Sequence, residues 1–278
     1  MLNDKQVIIT GPTSGIGLES ARGLAALGAN LVLACRDIKR GQELAEKLTH
    51  ATKDQHIAVM HLEASSQASI REFARAYEKR YPRLDVLVNN AALNRQTRQL
   101  SADGVEMTFA TNVLGYYLLT VELLDLLKKS APARIVNVAS EFASNLDLDD
   151  LQFERRPYDS TQGYAQSKAC DRLLTWAFAR RLAGSGVTAN ALAPGLVPET
   201  GLYREMPRHI HQMLKQRSDR TSVEGADTVV WLASAPEVAG VSGKFYEDRE
   251  EVECEFRNDA AEDKLWQICE KLTGGNSG

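Results

Sequence analysis

The chain has 278 residues, 44% hydrophobic and 25% charged, enough apolar material for one large globular domain. A formal net charge of -4 gives no basic footprint for nucleic acid, and Cys35, Cys170, Cys254 and Cys269 are too scattered for a disulfide framework or a structural zinc site. No apolar run approaches the roughly 18 residues of a membrane span and the N-terminus lacks a signal-peptide pattern, so the expectation is a soluble cytoplasmic protein without a membrane anchor.

Gln6 to Thr10 is a short β-rich run bounded by glycine, the pattern of a strand buried on both faces. Gly11-Pro12-Thr13-Ser14-Gly15-Ile16-Gly17 follows at once, and a helical pattern runs from Leu18 to about Leu27. Glycines at such a junction let the backbone approach a pyrophosphate, whose charge meets the free N–H groups of the helix N-terminus. The spacing differs from Gly-x-Gly-x-x-Gly, and a plain tight turn is the competing reading.

A second strand, Asn30 to Ala34, ends in Cys35-Arg36-Asp37, before a helix from about Ile38 to Thr49. In a dinucleotide-binding unit this strand end reaches the adenosine ribose, where a basic group favours a 2'-phosphate. Arg36, with Arg40 one turn on, therefore favours NADP over NAD; alternatively both arginines solvate a helix start that Asp37 caps.

The alternation continues with a strand at His56 to Leu62, a helix at about Gln67 to Arg80, a strand at Leu84 to Asn89 and a long helical pattern from about Ala102 to Lys128. Asn112 lies inside that helix, either bending it or joining a polar network, since a buried amide must find partners. A strand from Arg134 to Ala139 ends at Ser140, and an acid-rich connection with Asp147, Asp149 and Asp150 is expected to be a solvated loop rather than a metal site. After the helix from Tyr164 to about Leu182 come a strand at Thr188 to Leu192, amphipathic turns around Tyr203 to Lys215 with His209 and His211, and a Thr221-x-x-Glu224 capping box opening a helix to about Ser234. A strand around Lys244 to Tyr246, an acidic stretch and a helix from about Ala260 to Leu272 complete the chain, with 274–278 expected to be a disordered tail after a single domain over 1–273. Strands separated by helices of this length imply right-handed crossovers, so the fold class is α/β: a Rossmann-type, doubly wound, seven-stranded parallel sheet flanked by helices.

Tyr164 and Lys168 stand four apart on a helix and project from one face. A phenol titrates near ~10, and an adjacent ammonium lowers that by ~1 to 3 units, which turns a tyrosine into a usable proton donor. An aromatic packing pair is the bland alternative.

Taken in order, Thr10-Gly-x-x-x-Gly-Ile-Gly17, Asn89-Asn-Ala91, Asn112, Ser140 after a strand, Tyr164-x-x-x-Lys168 and Pro194-Gly195 resemble the short-chain dehydrogenase/reductase family from about Lys5 to about Leu272. Ala34-Cys-Arg-Asp37, Val187 to Leu192, and Lys264-Leu-Trp266 with Glu270-Lys-Leu272 are similar to its retinol dehydrogenase-like branch. Asn89-Asn-Ala-Ala92, Ser167-Lys-Ala-Cys170 and Thr200 to Glu205 also resemble light-dependent protochlorophyllide oxidoreductases, whose reaction on a C=C bond is a minor alternative.

The resemblance implies an NADP(H)-dependent oxidoreductase that interconverts a carbonyl and an alcohol on a medium-sized, partly apolar small-molecule substrate. It implies Tyr164 as the acid or base, Lys168 lowering its pKa, Ser140 holding the carbonyl oxygen, and Asn112 supporting a water-mediated proton path to Lys168. The cofactor would be held by Gly11, Thr13, Ser14, Gly15, Ile16, Gly17, Arg36, Arg40, Glu63, Asn90, Ala91, Lys168, Pro194, Gly195, Val197 and Thr200. Glu63 stands where the family has an aspartate, and Ala92 replaces the glycine usual after Asn-Asn-Ala. Arg95 or Arg204 is expected to meet a polar group on the substrate. Homodimer and monomer both stay open, and a cofactor-binding protein without turnover is the alternative from another class.

Overall fold

The computed structural model describes residues 1–52, 56–203, 205, 208–218, 220–254 and 256–275. Four β-strands and three helices alternate through the first third of the chain: β1 (Gln6–Thr10), α1 (Gly15–Ala26), β2 (Asn30–Cys35), α2 (Ile38–Thr52), β3 (Ile57–His61), α3 (Gln67–Arg80) and β4 (Val86–Asn89). Next come α4 (Met107–Phe109), a π-helical turn at Ala110–Leu114, α5 (Gly115–Glu122), α6 (Leu124–Lys129), β5 (Ala133–Val138), α7 (Ser160–Arg181) and β6 (Val187–Ala193). The chain ends with α8 (Arg208–Arg217), α9 (Ser222–Ser234), β7 (Phe245–Glu247), β8 (Glu250–Glu251) and α10 (Asp259–Thr273).

The sheet runs β3-β2-β1-β4-β5-β6-β7-β8. Strand order reverses between β1 and β4, which pair in parallel, so the crevice beyond their carboxyl ends is the place where such sheets bind ligands. The inner strands read as continuous apolar runs because both faces are covered. One core packs α3, α5, α7 and α10 against the sheet through Phe73, Tyr77, Leu118, Leu173 and Leu265; the other packs α1, α2 and α9 through Leu24, Leu44 and Val229.

Two sequence expectations are corrected here. The sheet has an eighth strand, antiparallel to β7, rather than seven parallel strands only. Its cause is local: Asp248 and Arg249 both take positive φ, 49° and 67°, the geometry of a two-residue hairpin turn, so the acidic stretch folds back on β7. The single long helix expected over 102–128 is divided. Its first residues form a turn in which the Ser101 amide donates to the Val105 carbonyl, and Glu106 then caps α4 by accepting from the Thr108 and Phe109 amides. The π turn has Asn112 at its centre, where extra backbone width re-aims a side chain.

The capping box at Thr221 and Glu224 forms as the spacing predicts. Gly274, placed by the sequence in the tail, C-caps α10 at φ +69°, and 276–278 lie outside the described residues.

Candidate active site

The site grows from the carboxyl ends of β1, β4, β5 and β6. At β1, the Thr10 hydroxyl accepts from the Asn90 and Ala91 amides at 2.9 Å, while the Asn90 side chain donates to the Thr10 and Gly11 carbonyls at 2.8 and 3.2 Å. Asn90 therefore braces the glycine loop from below. Gly15 has φ +55°, and a Cβ on Gly17 would fall 2.3 Å from the Gly11 carbonyl oxygen and 2.4 Å from Asn90 Nδ2. These two positions need glycine for different reasons, one for its backbone conformation and one for the close approach of helix to loop. Ser14 is the N-cap of α1, yet no side chain caps that helix end and no acidic residue sits in its first turn. Its positive end is left for an anion from outside.

At β2, Asp37 caps the start of α2 by accepting from the Arg40 amide at 3.1 Å, so that part of the competing sequence reading holds. The Arg40 side chain turns toward the glycine loop and that of Arg36 toward the end of β3. Arg40 Nη2 donates to the Thr13 carbonyl at 3.4 Å, and Arg36 lies 3.4 Å from Glu63 Oε2 with its side chain 66% exposed. Glu63 Oε1 accepts from the Ser65 amide and hydroxyl, so this acid is already engaged in its own turn.

Beyond β5, the Ser140 hydroxyl accepts from the Phe142 amide at 3.0 Å, leaving its O–H to donate elsewhere. Arg172, buried and stacked 3.6 Å from the Phe245 ring centroid, donates to the Ser140 carbonyl. The serine is thus held at its hydroxyl by the Phe142 amide and at its carbonyl by the Arg172 side chain.

On α7, Lys168 is 1% exposed. Its Nζ donates to the Val138 carbonyl at 2.9 Å, two residues before Ser140, and lies 6.0 Å from the centre of the Tyr164 ring and 5.3 Å from that of Tyr116. Burial pushes the Tyr116 phenol well above its ordinary range, aided by Asp171 and Tyr164, so Tyr116 is a neutral wall beside the lysine. Tyr164 itself is half-buried, open enough for a substrate to reach.

Asn112 is fully buried and clamps two elements. Its Oδ1 accepts from the Leu93 amide, and its Nδ2 donates to the Leu93 carbonyl at 3.0 Å and to Ser167 Oγ at 2.9 Å. The helix is distorted at Asn112, and its buried amide is satisfied by Leu93 and Ser167.

The last sheet contribution is β6. Gly195 takes φ +73° beneath the Arg220 side chain, while Pro194, Val197 and Ile16 converge on Gly225 of α9. Thr200 packs against Gly15, and its Oγ1 is buried with no hydrogen-bond partner.

A family model described as "short chain dehydrogenase" matches residues 5–210, most of the chain, including the glycine loop, Asn112, Ser140, Tyr164 and Lys168. The chain belongs to the short-chain dehydrogenase family. Within it the relatives are of the retinol dehydrogenase-like branch: human retinol dehydrogenase 14 is 38% identical, covering 99% of this chain and 88% of that protein, and human retinol dehydrogenase 13 is 38% identical, covering 97% and 85%. Among solved structures, the Pseudomonas aeruginosa RhlG/NADP active-site complex superposes with a TM-score of 0.70 at 26% identity, covering 88% of this chain and 94% of that one.

The short-chain dehydrogenase family binds a nicotinamide dinucleotide, and the residues present fit one. The uncapped α1 N-terminus, which the missing Cβ of Gly17 lets pack close to the glycine loop, and the orphaned Thr200 hydroxyl are the features that a pyrophosphate would satisfy.

Several surroundings went unread in the sequence. Asp171 pairs with Lys168 at 2.8 Å, and its i+3 spacing on the same helix was the available signal. Arg172, Tyr116 and Leu93 act through backbone or tertiary contacts that no spacing encodes. Arg95 does not present a free guanidinium to the substrate side, since Glu205 pairs with it; Arg204 lies outside the described residues. The acidic loop is less solvated than expected. Asp150 is 5% exposed and accepts from the Glu154 and Arg155 amides, and Asp149 pairs with Lys264 of α10 at 2.7 Å. His209 is exposed on α8, and the His211 ring contacts the Pro198 carbonyl at 2.8 Å.

Proposed function

We propose that this protein is an NADP(H)-dependent oxidoreductase interconverting a carbonyl and an alcohol on a medium-sized, partly apolar substrate. The observation that carries the proposal is the Lys168 bond to Val138. It ties the helix bearing Tyr164 to the end of the strand that leads to Ser140, so that a phenol, a hydroxyl and an ammonium share one buried corner of the crevice.

When bound, the nicotinamide supplies or accepts the hydride; the rest is the protein's work. Ser140 donates a hydrogen bond to the carbonyl oxygen and orients it. Tyr164 delivers a proton to that oxygen in reduction and removes it in oxidation. Lys168 favours the phenolate by its charge. Asn112, held between Leu93 and Ser167, keeps the loop after β4 at a fixed distance from α7.

The preference for NADP rests on Arg36 and Arg40, which flank the β2 end, Arg40 toward the glycine loop and Arg36 toward Glu63, and gains support from the NADP complex among the similar structures. The names of the relatives make an apolar polyene aldehyde such as retinal the first substrate to try. The chain is proposed to work as a monomer, because α10 covers the outer faces of α5 and α7: Trp266 packs edge-on to Tyr117 and Phe178 at 5.0 Å, and Arg180 and Arg181 both pair with Asp263.

The test is to follow NADPH absorbance with a panel of aldehydes, ketones and quinones that includes retinal. Turnover on a carbonyl is expected; tight NADPH binding with no turnover on any member would favour a cofactor-binding protein instead.

A further inference from the structure

Lys168 is asked to do two things by the reading above, and this inference rests on that reading: to favour the Tyr164 phenolate and to serve the bound dinucleotide. In the structure two of its three N–H donors are engaged, by the Val138 carbonyl and the Asp171 carboxylate. Nζ lies 2.8 Å from Asp171 Oδ2, and both side chains are buried, 2% and 0% exposed. The other carboxylate oxygen, Oδ1, is buried without any hydrogen-bond partner. A carboxylate in that situation is held in place by its one cation, and removing either partner would strand a charge.

The groups that face Asp171 from neighbouring elements do not compete for this role. Cys170 on the same helix, Tyr116 from α5 and Cys269 from α10 are each pushed up by burial and stay neutral, and Tyr164 stands one turn before the lysine. The backbone of Asp171 is fixed as well. Its carbonyl accepts from Thr175 Oγ1 at 2.7 Å, Thr175 accepts from Asn137 at 2.9 Å, and Asn137 accepts from Asn89 at 2.9 Å. A buried polar chain therefore runs from the ends of β4 and β5 to the turn of α7 that carries the pair.

We propose that Asp171 is a positioning residue: its carboxylate holds the Lys168 ammonium through a buried ion pair that leaves one N–H for the dinucleotide, and it offsets part of the positive charge that Tyr164 feels. Burial pushes the Asp171 carboxyl up to about 7 against the pull of Lys168. The pair is thus a standing brake on the phenolate.

The direct test is Asp171→Asn, which keeps an oxygen for Lys168 and removes the charge. In alcohol oxidation the limb of kcat/KM that rises with pH is expected to move about one pH unit to lower pH. A folded variant whose limb stays where it is in the wild type overturns the proposal. A second arm needs no turnover. Ultraviolet difference titration of the cofactor-free protein, read against Tyr164→Phe, is expected to place the Tyr164 phenol about one pH unit lower in Asp171→Asn than in the wild type, and an unmoved titration overturns the proposal as well. If no carbonyl is turned over, the functional reading fails while the titration still decides the role of Asp171.

Discussion

At the scale of single residues, the glycine loop gives the sharpest expectation. Alanine at Gly17 would place Cβ against the Gly11 carbonyl and the Asn90 amide, both parts of the brace that shapes the loop. Gly17→Ala is expected to weaken NADPH binding at least about tenfold, a loss of ~1.4 kcal/mol, read by quenching of protein fluorescence. Binding at wild-type affinity would mean that the loop is not the pyrophosphate cradle. Arg36 and Arg40 carry the cofactor choice. The double variant Arg36→Ala/Arg40→Ala is expected to lose about tenfold or more in affinity for NADP while changing little for NAD, measured by competition. The identities of these residues were legible in the sequence because a strand-to-helix junction tells where each side chain must point. The partners of Ser140 and Arg95 were not legible, because Arg172 and Glu205 reach them by tertiary packing rather than by motif, whereas Asp171 stands at i+3 to Lys168, a signal present in the spacing.

At the scale of elements, caps and periodicities explain most of what the sequence allowed. The capping box of α9 read true because both of its partners are three residues apart and need no tertiary help. Thr221→Ala is expected to cost roughly 1 kcal/mol in denaturant unfolding, without altering cofactor affinity. The hairpin of β7 and β8 was hidden because Asp248-Arg249 lacks the glycine that normally announces a positive-φ turn. The division of the helix at Asn112 was hidden for a related reason: a π turn keeps the helical apolar pattern on either side, and only the distant Leu93 and Ser167 show what the asparagine holds. The α10 helix is bound by a core residue, Leu265, which is fully buried. Leu265→Ala is expected to cost about 2 to 5 kcal/mol of stability. If the wild-type chain is a monomer as proposed, light scattering on this variant should show association that the wild type does not, since loosening α10 opens the faces of α5 and α7.

At the scale of the whole molecule, the doubly wound sheet gathers residues from the ends of four strands at one crevice, and that gathering is what the sequence pattern predicted most directly. Regular alternation of buried strands and crossover helices leaves little freedom in strand order, whereas the connections after β5 and β6, proposed to frame the substrate, follow no such rule. The cofactor and the proton donor can be separated experimentally because they depend on different strands. The most direct measurement is therefore a paired one: the rate of NADPH consumption with a carbonyl substrate, and NADPH affinity, for the wild-type protein and Tyr164→Phe. The account predicts that the variant keeps its NADPH affinity within about twofold and loses at least about 10²-fold in kcat. Equal rates in the two proteins would contradict it, since Tyr164 would then not be the proton donor.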